Sequence, residues 1–320
     1  MNFSSENKIK TAVIGAGYLG RFHAQKYAAL THSTLVAVVD LNPEIASQVA
    51  GEYGIAALTD YRDLFGKVEA VSIVVPTHSH YQVARDCLRE GIHILLEKPM
   101  TATLAEANEL IALANRYRLI LQIGHLERFN ATTIALQKIV KSPQFIESHR
   151  LASFNPRGID VSVVLDLMIH DIDIILSVVK SPISTIHANG VSVLTGDIDI
   201  ANARIQFTNG CVANVTASRV SMKAQRKMRI FQQDAYISVD FQDKKLNILR
   251  KGTQEMFPGI PEITGEERNF DQSDAMMAEI DSFLKAVKNG TKPSVSGEEG
   301  RQALAVALQI GQMLKIQLKN

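Results

Sequence analysis

Through the first 123 residues, short runs of aliphatic and β-branched residues alternate with longer segments whose apolar positions recur every three or four residues. Short apolar runs read as buried strands, and the wider spacing reads as helix. On this basis residues 9–14, 35–39, 69–75, 93–96 and 119–123 are expected strands, and 21–30, 43–53, 81–90 and 103–117 expected helices. In the last of these, Leu104, Ala107, Leu110, Ile111 and Ala114 share one helical face. Strands alternating with helices imply parallel pairing with helices on both faces, so residues 1–123 read as a doubly wound, Rossmann-type domain. After residue 124 the rhythm changes. A helix is expected through residue 140 and another over 163–179, then strands at 185–191, 198–207, 211–218, 224–231, 235–240 and 245–249. Asn209-Gly210 between two of these strands is a hairpin signal. Residues 252–272, with three glycines, two prolines and many acids, read as a loop, and helices over 273–288 and 298–318 close the chain. Residues 124–320 therefore form an α+β domain whose meander leaves one sheet face for a partner, and dimerisation is a common way to cover such a face.

Composition excludes several function classes without altering that picture. The 320 residues are 46% hydrophobic and 21% charged, as in ordinary soluble domains. With 34 Lys plus Arg against 33 Asp plus Glu, the net charge of +1 gives no general attraction to nucleic acid or to an anionic membrane. No apolar run approaches the roughly 18 residues of a membrane span. The first ten residues are polar and contain no apolar signal core. Cys87 and Cys211 lie far apart in apolar surroundings, as buried thiols do in a reducing compartment. The expectation is a cytoplasmic protein.

The candidate chemistry begins where the first strand ends. Gly15-Ala16-Gly17-Tyr18-Leu19-Gly20 is a G-x-G-x-x-G segment set between a strand and a helix, the context this dinucleotide motif requires. Gly15 permits the tight turn, Gly17 the approach of a pyrophosphate, and Gly20 the close packing of helix on strand. Tyr18 and Leu19 open the helix, whose N–H groups and positive dipole end suit phosphate. Asp40 ends the second strand 20 residues after Gly20, where a ribose-binding acid belongs. A capping role for Asp40 is compatible with the same position. The following Leu41-Asn42-Pro43 offers no arginine for a 2′-phosphate, which favours NAD over NADP. Pro76 and Thr77 end the third strand as a turn over the cofactor, and His80 opens the next helix. A metal reading of His78 and His80 lacks a nearby carboxylate or cysteine to complete it, and no metal is expected. The fourth strand ends in Glu97-Lys98-Pro99. Proline cannot continue a central strand, so Lys98 falls at the carboxyl edge of the sheet, where ligands bind in folds of this class.

In the second half, Asp166, His170 and Asp173 fall at i, i+4 and i+7 of the expected helix, on one stripe. A carboxylate one turn from an imidazole can orient the ring and stabilise its protonated form, an acid/base arrangement. A surface helix with a few polar residues would read the same way. Arg128 and Asn130 precede the first helix of this half, and Arg157 lies just before the Asp166 helix. Arg150 and the cations of 219–227 add further positive charge. Guanidinium groups suit a phosphorylated or nucleotide-linked ligand, whereas solvated strand turns are the plainer reading.

Taken together, Gly15-x-Gly17-x-x-Gly20-x-x-His23, Val75-Pro76-x-x-x-His80, Glu97-Lys98-Pro99 and the Asp166-x-x-x-His170 element resemble the Gfo/Idh/MocA oxidoreductases. The resemblance covers essentially the whole chain. It implies a Rossmann domain followed by a domain with a large, mostly antiparallel open sheet, and NAD(P)-dependent chemistry at a sugar or polyol carbon. Within the resemblance Lys98, His170 and Asp166 are the expected catalytic residues and the Arg128–Asn130 stretch lies near cofactor and substrate, while Arg157 and Asp173 are substrate candidates from their charge and position. Met168 stands where the family often has glycine, which puts the simple polyol substrates in doubt. The stretches 124–130 and 164–173 look like the branch acting on UDP-N-acetylglucosamine, whose 3-keto product a partner aminotransferase converts for lipid A. The expected partners are thus a nucleotide sugar, a second copy of the chain forming a homodimer or homotetramer through the C-terminal sheet, and functionally an aminotransferase. An aldose or inositol substrate, and a non-catalytic NAD-binding regulator, are the competing readings.

Overall fold

The computed structural model describes residues 8–155, 161–270 and 274–317 and divides the chain into two compact units. The first comprises Met1–Leu126 and Asp274–Gln302, the second Glu127–Ser273 and Ala303–Asn320. The change of unit after Leu126 lies close to the expected division at 123/124. The return of Asp274–Gln302 to the first unit was not anticipated, because nothing local in an amphipathic helix names the sheet it will cover.

The first unit is built on β1 (Ile9–Ile14), β2 (Ser33–Val39), β3 (Ala56–Leu58), β4 (Ala70–Ile73), β5 (His93–Glu97) and β6 (Leu121–Gly124). All pairs are parallel, in the order β3-β2-β1-β4-β5-β6. That order reverses between β1 and β4, which creates a crevice at the carboxyl ends of those strands. The connecting helices are α1 (Tyr18–Ala29), α2 (Pro43–Tyr53), α3 (Thr77–Arg89) and α4 (Leu104–Tyr117). Local chemistry fixes their starts: Asn42 caps α2 with Pro43 behind it, and Thr103 with Glu106 forms a capping box on α4. α7 (Ala275–Asn289) adds Ile280, Phe283 and Leu284 to the core that contains Val13, Tyr27, Val38 and Leu95.

The second unit contains α5 (Ala131–Ile139), β7 (Pro143–Leu151), α6 (Ile169–Val179), β8 (Ile183–Val191), β9 (Ile200–Phe207), β10 (Val212–Ser218), β11 (Gln225–Gln232), β12 (Ala235–Asp240), β13 (Lys245–Phe257) and β14 (Ile260–Asn269). The eight strands run β14-β13-β12-β11-β7-β10-β9-β8 and are antiparallel except for β7 with β10. This is the expected mostly antiparallel sheet. β7 was not foreseen, although it pairs with β11 and β10 at the sheet centre. Its Glu147, His149 and Arg150 mask the apolar alternation that marks a strand. Within the expected loop over 252–272, residues 252–269 instead form the end of β13 and the whole of β14, joined by a turn at Gly259 with φ 77°. One sheet face packs Ile146, Val215, Ile230 and Ile237 with Ile169, Ile172 and Ile175 of α6. On the opposite face, the registered positions Phe145, Phe231, Tyr236 and Leu249 form a row across four strands. α8 (Gly297–Gln317) closes the chain, and the change of unit falls within it.

Candidate functional site

The residues expected to hold a dinucleotide all lie in the first unit, at or just beyond the carboxyl ends of β1, β2, β4 and β5. Gly15 has φ +95°, and a Cβ there would stand 2.5 Å from the Val74 carbonyl oxygen. A Cβ at Gly20 would run into the Gly15 carbonyl oxygen, whereas one at Gly17 would meet nothing. The loop is therefore closed against protein at its first and third glycines and open at the second. No side chain caps the N-terminus of α1 at Gly17, and no acid lies in its first turn, so an anionic diphosphate suits this terminus. Tyr18 and Leu19 are exposed beside it. Asp40 accepts the Ala16 N–H through Oδ2 and the Asn42 N–H through Oδ1, each at 2.9 Å. It thus braces the glycine loop, and each carboxylate oxygen keeps a further lone pair for ribose. These features fit NAD.

Beyond β4, Pro76 stands at the N-cap of α3, which begins at Thr77. His80 is buried in the first turns of that helix, with Nε2 2.8 Å from the Val75 carbonyl oxygen and Nδ1 2.9 Å from that of Pro99. It therefore ties the end of β4 to the segment carrying Lys98. Burial lowers its pKa, with the carbonyls of Pro99 and Val75 acting in the opposite sense. The Lys98–Pro99 peptide is cis. Glu97 turns back, and its Oε2 accepts the Lys98 N–H at 3.3 Å. Burial acts to raise the Glu97 carboxyl, but His23 and then Lys98 outweigh it, and its pKa is held below the usual range. His23 Nε2 lies 3.3 Å from Glu97 Oε1, an ion-pair distance without hydrogen-bond alignment. A Cβ at Gly124 would stand 2.9 Å from that same oxygen, so glycine is what leaves room for the acid.

In the second unit, Asp166 lies in a π-helical turn (Val164–Met168) that leads into α6, and His170 lies in the first turn of α6. A regular α-helix was expected throughout 163–179. The Ile169 N–H reaches the Val164 carbonyl, a wider turn of a kind frequent at functional sites. Asp173 does not share an open stripe with them: it is buried and accepts from Arg128 Nε at 2.8 Å. Asn130 caps α5, accepting from Thr132 through Oδ1 and donating to the Phe241 carbonyl at 3.3 Å. Arg157 lies outside the described residues. The cations read as a phosphate site are largely engaged with protein. Arg150 is buried and donates to Asp171 Oδ1 at 2.8 Å and Glu127 Oε1 at 3.0 Å. Arg219 donates to the Val161 carbonyl, and Lys227 lies 3.3 Å from Asp240. A cavity of about 580 Å³ between residues of β7, β11 and β12 includes Met222, Lys223 and Gln225 in its lining.

Sequence reasoning missed several polar residues of the first unit. Ser72 stands in the otherwise apolar β4, and Glu279 on α7 is fully buried. A hydroxyl inside a buried strand is a usable signal, since such groups take partners. Cys87 and Cys211 are both buried free thiols. Among the described residues, no group of three or more metal-ligating side chains is arranged around a common point, and no helix is long and apolar enough to cross a membrane.

Residues 9–125 match a family profile described as "Oxidoreductase family, NAD-binding Rossmann fold", and residues 144–238 match "GFO/IDH/MocA C-terminal domain". The chain is 42% identical over 303 residues to the UDP-N-acetylglucosamine 3-dehydrogenase of Acidithiobacillus ferrooxidans, covering 94% of this chain and 96% of the relative. A solved structure of that enzyme superposes with a TM-score of 0.92, covering 98% of this chain and 99% of the other. The myo-inositol 2-dehydrogenase of Thermotoga maritima is 24% identical over 321 residues, 92% of this chain and 93% of that one. The scyllo-inositol dehydrogenase of Lactobacillus casei, solved with NAD(H) and scyllo-inositol, shares the fold at a TM-score of 0.82 and 20% identity, covering 97% of this chain and 98% of the other.

Proposed function

Because the chain belongs to the GFO/IDH/MocA family of NAD-binding oxidoreductases, we propose that it oxidises the C3 hydroxyl of UDP-N-acetylglucosamine to the 3-keto sugar with NAD as acceptor. The observation that carries this substrate is the 42% identity to a UDP-N-acetylglucosamine 3-dehydrogenase, which runs through 94% of the chain. The glycine loop, open only at Gly17, and the Asp40 carboxylate hold the dinucleotide. When bound, NAD supplies the hydride acceptor. Lys98 polarises the reacting oxygen, and His170, oriented by Asp166, takes the hydroxyl proton as general base. Arg128 and Asp173, paired with each other, and the capping Asn130 support the substrate region through the backbone they fix.

A 3-keto sugar is a substrate for transamination, so an aminotransferase is the natural consumer, and the 3-amino sugar would enter lipid A in the cytoplasm. The cross-strand row of Phe145, Phe231, Tyr236 and Leu249 supports a homodimer or homotetramer through the open sheet face. Light scattering during gel filtration measures the oligomer. The function itself is tested by following NADH formation with UDP-N-acetylglucosamine, free N-acetylglucosamine, glucose and myo-inositol. Turnover is expected only with the nucleotide sugar, and preferential oxidation of inositol or an aldose would refute the assignment.

A further inference from the structure

Beneath Lys98 the first unit encloses a continuous chain of polar groups in an otherwise apolar core. Tyr27 Oη lies 2.8 Å from Ser72 Oγ, and Ser72 Oγ lies 3.0 Å from His23 Nδ1. His23 Nε2 faces Glu97 Oε1, and Glu97 Oε2 accepts the Lys98 N–H. Tyr27, Ser72 and His23 are each fully buried. α7 places Glu279 behind them, also fully buried, with neither carboxyl oxygen hydrogen-bonded. The members come from α1, β4, β5 and α7, so no single element explains the cluster. Burying this many polar groups is costly unless each is satisfied, and apolar residues of similar size would pack there more stably.

Its direction is informative. The Tyr27 end has no outlet to solvent, and burial raises its phenol far above the ordinary range. A chain closed at one end does not conduct protons, but it does fix side chains. The only member with access to the sheet edge is Glu97, whose two oxygens are divided between His23 and the lysine backbone.

We propose that Tyr27, Ser72 and His23 are positioning residues for Lys98: through Glu97 they fix the backbone from which the lysine side chain extends. This rests on Lys98 acting in the dehydrogenase reaction proposed above. The charged and titratable groups facing Glu97 are His23 from α1, His80 from α3, Lys98 beside it on the chain and Glu279 from α7. Burial, with the Glu97 charge adding to it, raises the Glu279 carboxyl well above its ordinary value, and His23 is the core partner that favours the Glu97 anion.

The test compares His23→Leu with His23→Gln, whose amide reaches the Nε2 position. In His23→Leu, kcat is expected to fall about 10- to 100-fold, the effect of a small misplacement of a reacting group, with the KM for NAD within about twofold. The acid limb of its kcat profile moves to higher pH, because Glu97 loses the group that holds its carboxyl low. His23→Gln recovers kcat to within about fivefold at alkaline pH. A readout that needs no substrate separates this inference from the substrate assignment. With ε-13C-labelled lysine, the Lys98 resonance, identified by its loss in Lys98→Met, shifts in His23→Leu and returns in His23→Gln. If His23→Leu does not fold, Tyr27→Phe and Ser72→Ala, which each remove one hydroxyl, carry the same expectations at about two- to tenfold in kcat. Unchanged kcat, acid limb and Lys98 resonance in folded variants overturn the positioning role. Absence of turnover by the wild type on every sugar would overturn the substrate reading, while the lysine resonance still decides this one.

Discussion

Lys98, partly exposed just beyond the end of β5, and Arg150, buried within β7, are cations in contrasting surroundings. Lys98 extends from the end of β5, beyond the hydrogen bond its own N–H makes to Glu97. Replacing it with Met keeps the bulk and removes the ammonium, so turnover of UDP-N-acetylglucosamine should become undetectable while NAD still binds, as nucleotide fluorescence titration would show. Replacing His170 with Ala removes the general base proposed above, and kcat should then fall by roughly two to four orders of magnitude. Arg150 is held by Asp171 and Glu127, and these carboxylates raise the guanidinium pKa beyond its already high value against the opposing effect of burial. Arg150→Met would leave Asp171 buried without its cation, so denaturant unfolding should show a loss of about 3–5 kcal/mol. In the sequence, Arg150 could be read either as a phosphate contact or as part of a strand turn, because charge pattern does not report burial. The protein partners of Asn130 and Asp173 were not legible for the same reason. Gly15 and Gly20 were legible because the constraint on each is local: Gly15 turns with φ +95° against the Val74 carbonyl, and Gly20 lies against the Gly15 carbonyl.

Among the elements, the junction of β5 with β6 shows how one ring ties two parallel strands. His93 begins β5, and its Nδ1 accepts the Ile120 N–H at 2.9 Å just before β6. Only an unprotonated Nδ1 can do this. Burial lowers the His93 pKa below its ordinary value, with Glu69 opposing, so between that lowered value and about 6.5 the unfolded chain binds the extra proton. Stability should therefore rise with pH through this window and decline as the medium is acidified below about pH 6.5. His93→Asn, whose Oδ1 accepts without titrating, should weaken that acid decline, as urea denaturation at about pH 5.5 and about pH 7.5 would reveal. Most strands of the first unit were legible because they are short, largely apolar runs, whereas the three-residue β3 is too short to leave such a pattern. β7 was not legible either, since charged residues alternate through it, and the β13–β14 hairpin read as a loop because its exposed outer half lacks apolar alternation. The π-helical turn at Val164–Met168 leaves no trace in a pattern read at regular helical spacing.

At the scale of the whole molecule, neither unit is a continuous stretch of chain. The sequence suggested a simple division because composition shifts near residue 124, while the destination of a terminal helix is decided by tertiary packing. α7 carries Ile280, Phe283 and Leu284 into the core around Tyr27 and Leu95, and its Gln122 partner on β6 donates to the Glu279 carbonyl at 3.1 Å. A fragment of residues 1–126 would therefore expose the apolar surface that α7 covers. Such a fragment should bind a hydrophobic dye and melt without a cooperative transition, whereas addition of a peptide spanning 274–302 should reduce the dye signal. The arrangement also sets a schedule for the ribosome. All six strands of the nucleotide-binding sheet leave the exit tunnel while the helix that completes their core is still untranslated. The nascent sheet must wait through some 150 further residues of synthesis, and during that interval a chaperone has more to protect than in a protein whose domains close one after another.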